Sequence, residues 1–86
     1  MYSVRIKKKA QKQLMDLPLS IAGRIAVIID GLAENPRPSG SKKLQGYNNV
    51  YRIREADYRI IYRIENEILT VEIIKIGHRK DIYRGI

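Results

Sequence analysis

The sequence contains no cysteine, no tryptophan, no phenylalanine and only one histidine among its 86 residues. Disulfides, thiolate metal sites and His-rich metal clusters are therefore excluded, whereas a carboxylate-only metal site is not. No stretch approaches the ~18–20 apolar residues that a transmembrane helix needs. The first residues run directly into a folded pattern rather than a signal peptide. We therefore expect a cytoplasmic protein that has no membrane span and no cysteine- or histidine-based metal site.

Acidic residues are also scarce. The chain has nine Asp and Glu and 17 Lys and Arg, which gives a net charge of +8 and a pI near 10.0. Such a charge favours a polyanionic partner, which could be a nucleic acid, an acidic protein or an anionic membrane. The hydrophobic content of 44% is typical of a folded chain, and the length suits one domain, residues 1–86, with a single core.

Three runs rich in Ile, Val and Tyr follow one another from residue 50 onward, separated by short polar breaks at 56–57 and 66–67. This pattern is typical of a meander of antiparallel strands. A two-residue loop at each break pairs Tyr51 with Tyr62 and Tyr62 with Val71. One apolar face then continues across all three strands, and the same register pairs Ile60 with Ile73.

The opposite face of these strands is basic. In the same register it carries four arginines, namely Arg52, Arg54, Arg59 and Arg63. Arg54 lies directly opposite Arg59, and like charges in such a pair destabilise a sheet. One interpretation is a solvated face on which Glu72 pairs with Arg63. The other, which we favour, is a surface for an anionic ligand such as a phosphodiester.

The first half of the chain predicts a strand followed by two helices. Residues 2–6 alternate as a half-buried strand does, whereas 7–17 and 19–33 carry apolar side chains at helical spacing, with Ser20 as an N-cap of the second helix. A loop at 35–41 then returns the chain to the sheet. The predicted fold is α+β, with the order βααβββ and an antiparallel sheet that packs one face against the N-terminal helical hairpin.

The first predicted helix carries a group of lysines on its outer side, namely Lys7, Lys8, Lys9 and Lys12. A solvated helix face is one interpretation of this group. The alternative is an electrostatic contact with a large nucleic acid, which would add salt-dependent affinity without sequence information.

Four segments together resemble the RelE/ParE superfamily of toxins from toxin-antitoxin systems. They are Lys43–Gly46, Tyr51–Arg54, Asp57–Tyr62 and Ile76–Tyr83. The resemblance extends over essentially the whole chain, including its length and the predicted order of elements.

In the RelE branch, the resemblance implies a ribosome-dependent endoribonuclease that cuts mRNA in the decoding site without a metal. The 2′-hydroxyl of the RNA attacks its own adjacent phosphate and leaves a cyclic phosphate and a 5′-hydroxyl end. The implied partners are a cognate antitoxin, in a heteromeric complex, together with the 70S ribosome and mRNA. No membrane is involved.

The resemblance also implies residue roles. The transition-state arginine of the family falls on Arg59, the general-acid arginine on Arg79 and the C-terminal tyrosine on Tyr83, where a base could stack or the ring could pack on the sheet. The basic strand positions fall on Arg52 and Arg54. The candidate substrate-binding residues are these two arginines with Lys43 and Arg63.

The general base is left open by the sequence. Relatives carry lysines at the positions of Arg52 and Arg54, but arginine stays protonated and is a poor proton acceptor. His78, whose ordinary pKa suits proton transfer, and Lys43 are the candidates within the chain, and the ribosome or the RNA could also serve.

Two alternative functions remain open. One is a ParE-like toxin that acts on DNA gyrase and cuts no RNA. The other is a basic binding module that has lost activity, which the missing lysines would explain. In each case an antitoxin could contact apolar residues that could equally pack in the core, namely Ile74, Ile76, Ile82 and Ile86.

Overall fold

The protein folds as two helices on a five-stranded sheet, and the computed structural model describes residues 1–83. The elements are β1 (Ser3–Ile6), α1 (Lys8–Met15), α2 (Leu19–Gly31), β2 (Lys42–Lys43), β3 (Val50–Glu55), β4 (Tyr58–Glu65) and β5 (Thr70–His78). The predicted α+β class is confirmed.

The sheet is mixed rather than antiparallel. Its strand order is β1-β5-β4-β3-β2, and β1 pairs in parallel with β5 while every other pair is antiparallel. A parallel pair needs a long crossover connection, and here the helical hairpin and three strands lie between β1 and β5. The two-residue strand β2 at the far edge was not predicted.

Both helices pack on the same face of the sheet, as predicted. Ala10 of α1 and Ile25, Ile29 and Leu32, from α2 and its C-cap, are buried against side chains of β3, β4 and β5. Removing this apolar surface from water, at ~25 cal/mol per Å², is what joins the two layers. Within residues 1–83, neither helix is long and apolar enough to cross a bilayer.

Both helices end two residues before their predicted ends. The N-cap of α2 is Pro18, so the prediction that Ser20 caps this helix is wrong. Proline has no backbone N–H, so this position leaves no amide donor that needs a partner. The fixed φ of proline also allows the chain to turn directly from one helix into the next.

The predicted register of β3 and β4 is confirmed, with Tyr51 opposite Tyr62. The turn between β4 and β5 is longer than predicted, because Glu65 pairs with Thr70 and leaves four residues, 66–69, in the loop. The pairing therefore shifts by two residues from the predicted one. A shift of two keeps each side chain on its predicted face, so the apolar face is preserved.

A bulge in β5 then breaks the simple alternation. Tyr62 pairs with Ile73 but Ile61 pairs with Lys75, so Ile74 is an extra residue on the β5 side of the ladder. The predicted pairs Tyr62–Val71 and Ile60–Ile73 are both wrong, because the longer turn places Ile73 opposite Tyr62 and the bulge then places Ile76 opposite Ile60. A bulge inserts one residue into one strand and reverses the facing of every residue that follows it.

Because of the bulge, apolar and charged side chains at the end of β5 lie on opposite faces of the sheet. Ile76 pairs with Ile60 in the main core, while Lys75 lies on the opposite face with Ile61. Ile76 lies beyond the end of β1 in the sheet. Its backbone N–H donates instead to the side-chain oxygen of Gln13 in α1, at 2.9 Å. The helix thus supplies the hydrogen-bond partner that the neighbouring strand no longer offers.

The loop before β2 is fixed to the sheet by two tyrosines. The hydroxyl of Tyr62, which is fully buried, donates to the carbonyl of Pro36 at 2.8 Å. Arg37 Nε donates to the hydroxyl of Tyr51 at 3.1 Å, and this hydrogen bond raises the pKa of Arg37. The rings of Tyr51 and Tyr62 stack with centroids 5.9 Å apart. The loop is therefore tied to the core at two points.

We expect Tyr62 to make stability depend on alkaline pH. Burial raises the pKa of Tyr62 from 10.0 to about 12, against a hydrogen bond from Ser41 that lowers it. The folded state holds this proton more tightly than the unfolded state, so the stabilisation is complete below about pH 10 and is lost as the pH rises toward 12. A rise of about two pKa units in the folded state corresponds to about 2–3 kcal/mol in the free energy of unfolding.

The measurement is urea unfolding of the wild type and of Tyr62→Phe between neutral pH and the highest pH at which both fold reversibly. The variant should be less stable near neutral pH by about 1–3 kcal/mol, because the buried Pro36 carbonyl loses its donor. The difference between the two proteins should shrink above pH 10. A constant difference would contradict the assignment.

Candidate functional site

The sheet face turned away from the helices is basic, and we call it the arginine face. Its register-aligned cations are Arg5, Lys42, Arg52, Arg54, Arg59, Arg63 and Lys75. Glu72 lies between Arg5 and Arg63 in the register, yet within residues 1–83 it forms no ion pair shorter than 4.0 Å. The alternative in which Glu72 pairs with Arg63 or a neighbour is thus met in the register, although no ion pair joins these side chains within the described residues.

The middle of the arginine face is covered by the C-terminal segment. The side chain of Ile82 is fully buried there against Val50 and Ile61, with Leu44 and Ile74 packed around them. The amides of residues 81 and 82 both donate to the carbonyl of residue 78, at 2.9 and 3.1 Å, and this turn directs Ile82 onto the sheet. The arginine face thus has a small apolar centre with cations around it.

The β3–β4 turn holds two of the predicted site residues. Arg59 is only 9% exposed, and its Nη1 donates to the carbonyls of Tyr58 and Ala56 at 3.0 and 3.3 Å. The backbone N–H of Arg79 donates to the carbonyl of Asp57 at 2.8 Å, and Arg79 Nε lies 4.0 Å from Asp57 Oδ1. One short turn therefore fixes a buried guanidinium and anchors an exposed one.

A third arginine completes this group, because Arg54 pairs directly with Arg59 across the two strands. We call Arg54, Arg59 and Arg79 the hairpin arginines. Guanidinium groups present planar, paired N–H donors that match the oxygens of a phosphate. Within residues 1–83, the hydrogen bonds of the Arg59 side chain use Nη1 alone. The arrangement can therefore bind and polarise a phosphodiester.

The structure does not bring His78 to the arginine face. His78 pairs with Tyr58, which packs on the main core, and the two rings meet edge to face with centroids 5.8 Å apart. His78 Nδ1 accepts a hydrogen bond from the amide of Lys80 at 3.2 Å. The bulge is the cause, because it reverses the facing of the residues after Ile74. His78 instead holds the turn that carries Arg79 and Ile82.

Lys43 also lies on the helix side, since it pairs with Tyr51 across the two edge strands. Its neighbour Lys42 pairs with Arg52 and shares the arginine face, as Lys75 does through the bulge. The sequence missed Lys42 and Lys75 because a two-residue strand has no period to read and because the bulge leaves no signal among consecutive isoleucines.

The remaining predicted residues are spread around the arginine face. Arg52 and Arg63 are half-buried and Arg54 is exposed, while Tyr83 is 48% exposed next to the buried Ile82. Of the isoleucines considered as antitoxin contacts, Ile76 and Ile82 are buried in the protein itself and Ile74 is partly buried. Ile86 lies outside the described residues.

We expect Ile82→Ala to free the C-terminal segment without unfolding the sheet. The substitution removes the apolar anchor, for which Ile→Ala in a core typically costs about 2–5 kcal/mol, but the main core lies on the other face. The amides of residues 81 and 82 should then exchange with solvent much faster by NMR, while those of β4 should stay protected. Ile68→Ala, at a side chain 60% exposed, is the control. Equal loss of protection in β4 would contradict this expectation.

Comparisons with known proteins agree with this architecture. The family model of the ParE toxin of the type II toxin-antitoxin system, parDE, matches residues 4–83. Toxin RelG of Mycobacterium tuberculosis is 33% identical over 84 residues, which cover 96% of this chain and 97% of RelG. Toxin RelE3 of Methanocaldococcus jannaschii is 34% identical over 84 residues, 93% of each chain.

Among solved structures, the archaeal RelE–RelB complex from Pyrococcus horikoshii OT3 contains a chain that superposes with a TM-score of 0.82 at 32% identity. The superposition covers 93% of this chain and 97% of that one. The sheet, the helical hairpin and the matched sequence thus agree over nearly the full length. The chain belongs to the RelE/ParE superfamily of type II toxin-antitoxin toxins.

Proposed function

We propose that this toxin is a RelE-type endoribonuclease that cleaves mRNA at the ribosome. The reaction is attack of the RNA's own 2′-hydroxyl on the adjacent phosphate, without a metal, which leaves a 2′,3′-cyclic phosphate and a 5′-hydroxyl end. The observation that carries the proposal is the grouping of the hairpin arginines at one end of the arginine face. The names RelG and RelE3 of two relatives point in the same direction.

Arg59 stabilises the transition state in this proposal. Attack by the 2′-oxygen adds negative charge to the nonbridging oxygens, and a cation already fixed at that place needs little reorganisation to meet it. Arg59 fits this role because its burial and its two backbone carbonyl contacts hold the guanidinium still. Arg54, in the opposite strand position, adds a second cation for the same phosphate.

Arg79 protonates the leaving 5′-oxygen in this proposal. Its side chain is 56% exposed, and the hydrogen bond from its backbone N–H to the carbonyl of Asp57 keeps the residue at the hairpin end. The substrate-binding positions are Arg52 and Arg63, along the same face, and Tyr83 offers a ring on which a base can stack.

The proton of the 2′-hydroxyl needs an acceptor that arginine cannot supply. His78 and Lys43 lie on the helix side of the sheet, whereas Lys42 lies on the arginine face beside Arg52. The ammonium of Lys42 has three donors and no acceptor, so we place the acceptor on the ribosome or on the RNA itself.

The partners that this function implies are an antitoxin, the 70S ribosome and mRNA, and its place of action is the cytoplasm. The solved relative from P. horikoshii is a complex of RelE with RelB, which supports an antitoxin for this chain as well. A heteromeric complex could silence the toxin by covering the arginine face or by displacing the segment that Ile82 anchors.

A gyrase inhibitor is the second candidate function, because the family model that matches residues 4–83 is that of the ParE toxin. Such a toxin would inhibit supercoiling by gyrase and leave mRNA intact. A nuclease should leave supercoiling unchanged, so one assay of each kind separates the two functions.

We expect Arg59→Ala and Arg79→Ala each to lower mRNA cleavage by about 10²–10³, the usual loss for one group that stabilises transition-state charge. Primer extension on mRNA bound to 70S ribosomes measures the cleavage, and circular dichroism with thermal unfolding checks the fold. Arg59→Lys keeps the charge but lacks the planar pair of donors. If misfolding is not the sole cause of the loss in Arg59→Ala, Arg59→Lys should also cleave mRNA more slowly than the wild type.

Arg24→Ala is the matched control, since Arg24 lies in α2, its one ion pair among the described residues is a 3.5 Å contact with Glu55, and 62% of its side chain is exposed. It should retain full cleavage. A double variant at Arg59 and Arg79 that cleaves as the wild type does would refute these roles. Intact mRNA with the wild type, together with inhibited supercoiling, would establish the gyrase function instead.

We expect His78→Gln to retain cleavage within about threefold, whereas loss of a general base would lower it by about 10²–10⁴. The reason is that His78 packs on Tyr58 behind the arginine face, and that the side-chain oxygen of glutamine can still accept the hydrogen bond from the amide of Lys80 that holds the turn. The pH–rate profile of the variant should match that of the wild type. A fall of the rate by about 10² or more in the folded variant would return His78 to the role of base.

A further inference from the structure

A second basic feature lies at the other edge of the sheet, where β1 runs into α1. It is an open groove of about 620 Å³, and we call it the lysine groove. Its lining consists of Arg5, Ile6, Lys7, Lys8, Lys9, Glu72, Ile74 and Lys75. Five cations and one acid thus surround one concave surface, and none of the proposed cleavage roles uses it.

The charges at the start of α1 are unfavourable for the protein alone. The first turn contains no acidic residue and no capping side chain, and Lys8 and Lys9 occupy it instead. The N-terminus of a helix carries a partial positive charge, so each cation there is destabilising, typically by a few tenths of a kcal/mol. An anion in the groove would relieve both this repulsion and the repulsion among the lysines.

The lysine groove is continuous with the arginine face. Arg5 aligns with Glu72 and then Arg63 across the strands, and Lys75 aligns with Ile61 and then Arg52. Adjacent strands lie ~4.8 Å apart, so a ligand in the groove lies about 10–15 Å from the cations of β3. This separation suits a second segment of RNA beside the strand that is cut, not the same phosphate.

The chemistry of the lining favours RNA over a protein or a membrane. Lysine is depleted in protein–protein interfaces but is a common point-charge partner of phosphate. Membrane-binding helices present a row of exposed apolar side chains next to their lysines. In α1, Ala10 is buried in the core and Leu14 packs against it, so that only Met15, at the last position of the helix, is an exposed large apolar side chain, and in the groove Ile6 is 37% exposed. We propose that the lysine groove binds the phosphodiester backbone of a folded, double-helical RNA segment while the arginine face holds the strand to be cut. The inference rests on the proposed function for this second RNA strand, but binding to the groove can be measured without cleavage.

The test uses a labelled RNA duplex of about 16 base pairs, a length suited to shape-specific duplex contacts, with binding followed by anisotropy from about 50 to 200 mM salt. Lys8→Gln/Lys9→Gln removes two groove cations. Lys12→Gln/Arg24→Gln removes the same charge from helix positions that do not line the groove. Thermal unfolding of both variants accompanies the binding, and the groove variant should be at least as stable as the wild type.

We expect the slope of log affinity against log salt to fall by nearly two for the groove variant, at ~0.9 per phosphate contact, and by less than half as much for the control. In the ribosome assay the groove variant should raise KM by at least about fivefold with kcat unchanged, as loss of uniform binding does. Equal slopes for the two variants, or an unchanged KM, would overturn the inference.

Two further outcomes separate the explanations. If the wild type cleaves no mRNA but the groove variant still loses the salt slope on the duplex, the proposed nuclease fails while the groove stands as an RNA site. If phosphatidylserine vesicles bind through Lys8 and Lys9 and the duplex does not, the inference is overturned in favour of a membrane contact.

Discussion

Burial of one sheet face under α1 and α2 is the constraint on which the rest of this structure depends. Since side chains alternate along a strand, covering one face with helices sends every second residue of β3 and β4 to the other face. The arginines have no alternative position, because a slip by one residue would bury them. The same packing that stabilises the fold therefore concentrates positive charge on a single surface.

The cations at the two ends of the arginine face differ in the contacts that hold them. At the β3–β4 turn, backbone carbonyls accept hydrogen bonds from the Arg59 guanidinium and from the backbone N–H of Arg79, so both residues are held in place there. At the start of α1 the lysines have no acidic residue in the first turn of the helix and no capping side chain beside them. In the middle, Ile82 closes the face with an apolar contact. The ordered end suits chemistry, and the unsupported end suits binding that salt can weaken.

The sequence predicted those parts of the fold that follow from periodicity. The helical hairpin, the register of β3 with β4 and the basic face all rest on repeated positions, and a single error at one residue does not disturb them. The features that the sequence did not predict have no periodic pattern of residues. The turn at 66–69 contains Ile68 and Leu69, which look like strand residues, although Leu69 has a positive φ of 47°.

The candidate site divides in the same way. Arg52, Arg54, Arg59 and Arg63 lie on one face as predicted from alternation. The positions after residue 74 could not be assigned, because Ile73 and Ile74 suit either face and only the packing of Ile76 and Lys75 decides between them. The contact of Ile82 with Val50 joins residues 32 apart in sequence, and no local pattern encodes it.

The pairing of β1 with β5 also bears on when the protein can fold. Ser3 aligns with Thr70, so the first strand has no partner until almost the entire chain exists. Closing a loop of that length is slow compared with forming local helices, and contacts of such high sequence separation lower folding rates. The hairpin arginines need Arg79 and the last strand as well. The first strand of the sheet and the group of hairpin arginines can therefore assemble only after the chain has been made as far as Arg79.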